Sequence, residues 1–151
     1  MSDPTRKPTA AERIAASQKR REDKADAERE AREEQFATDL EAIEELEAKL
    51  GVRIRYSKQV STFVAGLPVV VGVRAPEPGE YKRLLSLIAR AKDNADAKVA
   101  ALLDLAQQCW VYPADGPTRA SMMEANAALL TSVGNFANSL AEVEMRDEGK
   151  G

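Results

Sequence analysis

Cys109-Trp110-Val111-Tyr112-Pro113 gathers the only Cys and the only Trp of a 151-residue chain. Upstream of it, Val99, Leu102, Leu103, Ala106 and Trp110 recur at helical spacing. Downstream, Pro113 to Pro117 stops any helix, and an Ala-rich segment follows that carries Met122, Met123, Leu129, Leu130, Val133, Phe136 and Leu140. The stretch therefore reads as the end of a buried helix running to Tyr112, then a turn, then further helix from near Thr118, divided at Gly134-Asn135. Trp110 is expected in the core, with Cys109 beside it as a small apolar side chain rather than a nucleophile.

Working outward, Tyr81, Leu84, Leu85 and Ile88 fall at i, i+3, i+4 and i+7, one face of another helix. Pro78 suits its first turn, and Glu77 and Glu80 suit the positive end of its dipole. Before it, Val52-Arg53-Ile54-Arg55-Tyr56 alternates apolar and basic residues, while Val60 to Ala65 and Leu67 to Arg74 are β-branched and apolar. These predict a small antiparallel sheet of two or three strands, with a turn at Gly66-Leu67-Pro68 and Val69-Val70-Val71 covered on both faces. Arg53 and Arg55 share one face, where they keep one side of the sheet wet or, as the weaker alternative, form a binding patch.

The N-terminal third differs. Met1 to Pro8 has the composition of a disordered tail, and Thr9-Ala10-Ala11-Glu12 matches a capping box. From there to Leu50 neither Pro nor Gly interrupts a run rich in Ala, Glu, Arg and Lys, which predicts one helix of about 40 residues, ~60 Å long, ending at Gly51. Up to residue 35 its charges are mixed all round, with only Ile14 to bury. Phe36, Leu40, Ile43, Leu46 and Leu50 then line one face, which must pack on the protein's own domain or on a second copy. The expected fold class is α+β, mainly α. Residues 1–8 form a tail, 9–51 the long charged helix, 52–145 a small β element and a helical bundle, and 146–151 a frayed end.

Composition excludes several functions. A net charge of -3 and a pI near 5.2 argue against a nucleic-acid binder, and Lys19-Arg20-Arg21 runs straight into Glu22-Asp23. The longest strongly apolar run, Leu67 to Val73, is too short for a membrane span, and the N-terminus lacks the apolar core of a signal peptide, so a cytoplasmic protein is expected. With no His and one Cys, neither a Ser-His-Asp triad nor a Cys-His pair can be built, and zinc has no ligand cluster. The acidic pairs Glu33-Glu34, Glu44-Glu45 and Asp147-Glu148 lie on charged surface, and no phosphate-binding Gly motif occurs. No catalytic, cofactor or metal residue is assigned.

The order of elements resembles that of the tail assembly chaperones of tailed phages and prophages. The likeness covers about residues 52 to 145. It is carried by the sheet ending in Leu67-Pro68-Val69-Val70-Val71, by Arg74-Ala75-Pro76, by Glu80-Tyr81-Lys82-Arg83 opening a helix, and by Cys109-Trp110-Val111-Tyr112-Pro113 before the last helices. The chain departs from the family in Ala114-Asp115-Gly116-Pro117 after the Tyr-Pro and in its long N-terminal helix. The resemblance implies a non-enzymatic protein that binds the helical tape measure protein, keeps it soluble and brings tail tube protein to it in the host cytoplasm.

Candidate partner-binding residues are Met122, Met123, Leu129 and Leu130 on the helical body, where adaptable Met side chains suit a groove for an amphipathic helix, although both Met residues also suit the core. Phe36, Leu40 and Ile43 are candidates on the long helix. The alternative is a scaffold or virion subunit that forms a homo-oligomer through that helix. On either reading Trp110→Ala is expected to cost ~3–5 kcal/mol and to lower the melting temperature by several degrees in a thermal denaturation experiment.

Overall fold

The computed structural model describes residues 5–58 and 63–149, with side chains through Val143. In order, α1 (Ala10–Leu50), β1 (Ile54–Lys58), β2 (Val70–Arg74), α2 (Pro78–Ala91), α3 (Ala95–Cys109), β3 (Trp110–Tyr112), α4 (Gly116–Ala125) and α5 (Leu129–Gly149) make a mainly helical α+β protein. Residues 1–4 of the expected N-terminal tail, and residues 60–62 of the expected strand from Val60 to Ala65, lie outside the described residues. From Phe63 to Leu67 the chain carries no strand and turns at Gly66, whose φ of 86° is one that glycine adopts without strain.

α1 is the single long helix that its composition predicts. Thr9 caps it by accepting from the Glu12 N–H at 3.2 Å, and Gly51 closes it in the left-handed conformation, its N–H on Glu47 O. Only half of the expected capping box forms, because the Glu12 carboxylate pairs with Arg6 instead. The sheet is antiparallel in the order β1-β2-β3, with Tyr56 opposite Gly72 and Gly72 opposite Tyr112. As the central strand, β2 is covered on both faces. Val70 packs toward α1 with Ile43 and Ile54, while Val71 and Val73 pack on the opposite face with Leu84, Leu105, Trp110, Leu129 and Val133.

The sheet thus divides two apolar clusters. A small one under α1 adds Phe36, Leu46, Val69, Val111 and Tyr112, and a larger one is built by α2, α3, α4 and α5. The apolar face of α1 therefore packs on its own domain, with Leu50 left 49% exposed at the end.

Three sequence expectations are corrected. Helix α3 stops at Cys109 and Trp110–Tyr112 is a strand, since Pro113 drives Tyr112 out of the helical region and Trp and Val favour a pleated chain. The last helical region divides at Asn126 rather than at Gly134. Asn126 ends α4 with its N–H on Met122 O, and its side-chain Oδ1 accepts from Ala128 N at 3.2 Å, a local bond that competes with helix. Helix α5 passes through Gly134 and runs to Gly149, and residues 150–151 of the expected frayed end lie outside the described residues. Finally, Leu85 and Val99 are 49% and 42% exposed, so α2 buries Leu84 and α3 buries Ala101, Leu105, Ala106 and Cys109.

Two glycines allow close approaches. A Cβ on Gly72 would lie 2.8 Å from Tyr112 Cβ and 3.0 Å from Ile54 Cγ2, beneath Ile43 of α1. One on Gly134 would lie 2.5 Å from the Leu102 carbonyl oxygen, where α5 crosses α3. Gly72→Ala and Gly134→Ala are each expected to destabilise the protein by about 1–3 kcal/mol through overpacking. Urea titration measures both, and an unchanged midpoint for either would contradict the crossing described.

Candidate functional site

The most constrained point of the molecule is Asp39, which sits on the apolar face of α1 between Phe36 and Ile43 and has no exposed surface. Its carboxylate accepts three hydrogen bonds: from Gln35 Nε2 at 2.9 Å, from the Val69 N–H at 2.8 Å and from the Tyr112 hydroxyl at 2.5 Å. One side chain of α1 thereby holds the segment entering β2 and the end of β3. Burial raises the Tyr112 phenol above its ordinary value, and the bond to Asp39 raises it further, so the hydroxyl stays a donor.

A second junction lies at the other end of β2. Arg74 makes a two-pronged pair with Glu80, at 2.7 and 2.9 Å, and also donates to the Gln108 carbonyl at 2.8 Å, one of the C-terminal carbonyls of α3 without a helical partner. Glu80 in turn accepts from the Glu77 N–H at 2.8 Å and so completes the capping box of α2. The third junction is Arg119 of α4. It donates to the Pro113 and Trp110 carbonyls, both at 2.6 Å, and lies over the Trp110 ring at 5.0 Å.

These junctions fasten elements, and the chemistry at each is already satisfied. Every polar side-chain atom buried among the described residues has a hydrogen-bond partner. Cys109 is fully buried and its thiol is pushed up to about 12 by burial, which keeps it neutral and unreactive at pH 7. No group of three or more His, Cys, Asp or Glu side chains that could hold a metal occurs among the described residues.

The sequence-derived partner-binding residues fall on both sides of the sheet. Met122 and Leu129 are buried, and Met123 and Leu130 half-buried, in the larger cluster. Ile43 is buried under α1, with Phe36 and Leu40 half-buried. Met122 thus packs in the core, as the sequence allowed beside a groove, on the helix that Arg119 fastens to the turn after β3.

What remains open is a narrow recess in which Met122 and Leu129 meet Leu67, Pro68 and Val69, with Arg32 at its rim. Beside it, a recess of about 190 Å³ is lined by Arg29, Arg32, Glu33, Phe36, Lys58 and Val69. Arg32 and Val69 belong to both, which brings Phe36 on one side close to Met122 and Leu129 on the other. Leu40, Ile43, Met123 and Leu130 line neither recess.

Sequence reasoning missed Asp39, Arg74 and Arg119. For Asp39 a signal existed, a carboxylate within an apolar stripe, three residues after Phe36 and four before Ile43. Nothing in the spacing marks Arg74 or Arg119, whose partners lie on other elements. Set against protein-family models, curated proteins and solved structures, the chain matches none of them.

Tyr112→Phe is expected to cost about 1–2 kcal/mol, and Asp39→Ala about 3 kcal/mol, because the latter leaves the Val69 N–H and the Tyr112 hydroxyl buried without an acceptor. The double variant should fall short of the sum by about 1 kcal/mol when measured by chemical denaturation, and strict additivity would mean that the two groups do not interact. The Arg74 hydrogen bonds hold the Glu80 carboxyl below its ordinary value. A carboxyl depressed in the folded state contributes stability that is complete above its unfolded value and is lost as pH falls through the folded one. The stability gap between wild type and Glu80→Gln is therefore expected to be largest above about pH 5 and to narrow on acidification, as thermal melts across that range would reveal.

Proposed function

We propose that this protein is a non-enzymatic tail assembly chaperone, which binds the helical tape measure protein and helps to recruit tail tube subunits during phage tail morphogenesis in the host cytoplasm. The observation that carries this reading over a self-assembling strut is the direction of the apolar face of α1. Phe36, Ile43 and Leu46 pack against Ile54, Val69 and Val70 of the same chain, so that face is not left for a second α1. The paired recesses around Arg32 and Val69 add apolar surface, bordered by Arg29, Arg32, Glu33 and Lys58, on which a partner segment can rest.

The alternative is a scaffold or virion subunit joined through α1. It draws on the solvent-exposed first half of that helix, where Ile14 is 58% exposed. Co-expression with the tape measure protein separates the two. The chaperone reading expects a soluble complex of the pair, a monomer by light scattering when the protein is alone, and no trace of the chain in purified particles. Retention in particles, together with an oligomer that Ile14→Glu dissolves, would establish the structural role instead.

A further inference from the structure

The three-stranded sheet has β1 and β3 at its edges. At β3, Arg119 lies across the end of the strand and donates to Trp110 O and Pro113 O, both at 2.6 Å. At β1 a single group is occupied, the Ile54 N–H, which donates to Glu47 Oε2 at 3.2 Å. That bond turns the Ile54 backbone away from β2. By the alternation of an antiparallel ladder the N–H and C=O groups of Tyr56 and Lys58 also point outward. No described residue takes them, and Tyr56 is 46% exposed.

Apart from Glu47, whose carboxylate holds the Ile54 N–H, the charged side chains along this edge are basic. Arg53, Arg55 and Lys58 are all exposed, on a chain whose net charge is -3. Neither Arg53 nor Arg55 has an ion-pair partner among the described residues, while Lys58 lies 4.4 Å from the centre of the Phe36 ring. Basic residues on an edge strand ordinarily keep it from pairing with copies of itself, since like charges directly opposite one another repel. A second copy of β1 would set these cations against each other. An acidic strand would meet opposite charges at the same positions.

We propose that β1 is a docking edge for an extended, acidic segment of a partner protein, which adds to the sheet as a fourth strand alongside Ile54–Lys58. The backbone groups of Tyr56 and Lys58 supply the ladder, and Arg53 and Arg55, two apart and hence on one face, select carboxylates at every second position of the incoming strand. This rests on the edge and its charges and is independent of the chaperone reading, because it needs neither the tape measure protein nor the recesses.

The test uses the full chain and a capped octapeptide of alternating Thr and Glu, with the Lys-for-Glu peptide as control. The Tyr56 and Lys58 amides are expected to exchange about tenfold more slowly with saturating peptide. Arg53→Glu combined with Arg55→Glu is expected to weaken binding by at least about tenfold, added salt to weaken it for the wild type, and the Lys peptide not to bind. Both substituted residues are exposed, so an unchanged melting temperature certifies the fold of the variant, and Arg55→Gln alone serves if the pair does not fold. The proposal is overturned if those two amides exchange at their free rate, if the charge-reversed chain binds the Glu peptide as tightly, or if sedimentation finds a dimer of the chain paired through β1.

Discussion

The Asp39 carboxylate carries the connection between the long helix and everything that follows it. A buried carboxylate without partners would be strongly unfavourable, and its three donors come from α1 itself, from the chain entering β2 and from the end of β3. Apolar packing of Phe36 and Ile43 would let α1 slide along the sheet at little cost. A carboxylate that must find the Val69 N–H and the Tyr112 hydroxyl together allows one register. The burial of Ile43 over Gly72, the closeness of Phe36 to Tyr56 and the position of Glu47 beside Ile54 all follow from that register.

The sheet, only three strands wide, is a partition rather than a core. Its central strand presents Val70 to one apolar cluster and Val71 and Val73 to another, and each cluster has its own polar fastening. Arg74 joins β2 to the start of α2 and the end of α3, and Arg119 ties α4 to the turn after β3. Both arginines reach backbone carbonyls as well as a ring or a carboxylate. Their stems cover apolar surface while their heads satisfy groups that helix and strand ends leave over.

Much of this was legible in the chain, for reasons that differ by element. The long helix declares itself through 41 residues without Pro or Gly, rich in Ala, Glu, Arg and Lys, between a Thr and a Gly, and the turn at Gly66-Leu67-Pro68 through turn chemistry. The buried strand Val70 to Arg74 follows from β-branched residues. Two features resisted reading. Trp110 continues the apolar spacing of α3 by coincidence, so periodicity extended the helix past Cys109, whereas the Pro three residues later carried the decisive constraint. Gly134 looks like a breaker by composition, but it serves the crossing with Leu102, a tertiary fact that no local pattern encodes. Of the candidate site, Met122, Leu129 and Phe36 were identified as apolar, but spacing alone could not separate a surface groove from the core.

α1 is one helix with two environments. Its last few turns are held by Asp39, Ile43 and the sheet, while the stretch before residue 28 is exposed at nearly every position. Isolated helices of that length are marginal in water, so this half depends on caps, on pairs such as Asp26 with Arg29, and on the docked half as a ready-made nucleus. Its turns can fray and re-form in about a microsecond or less without disturbing the domain, whereas the turns around Asp39 open only when the sheet does. The same helix therefore spans the range from coil-like to core-like lifetimes along its length.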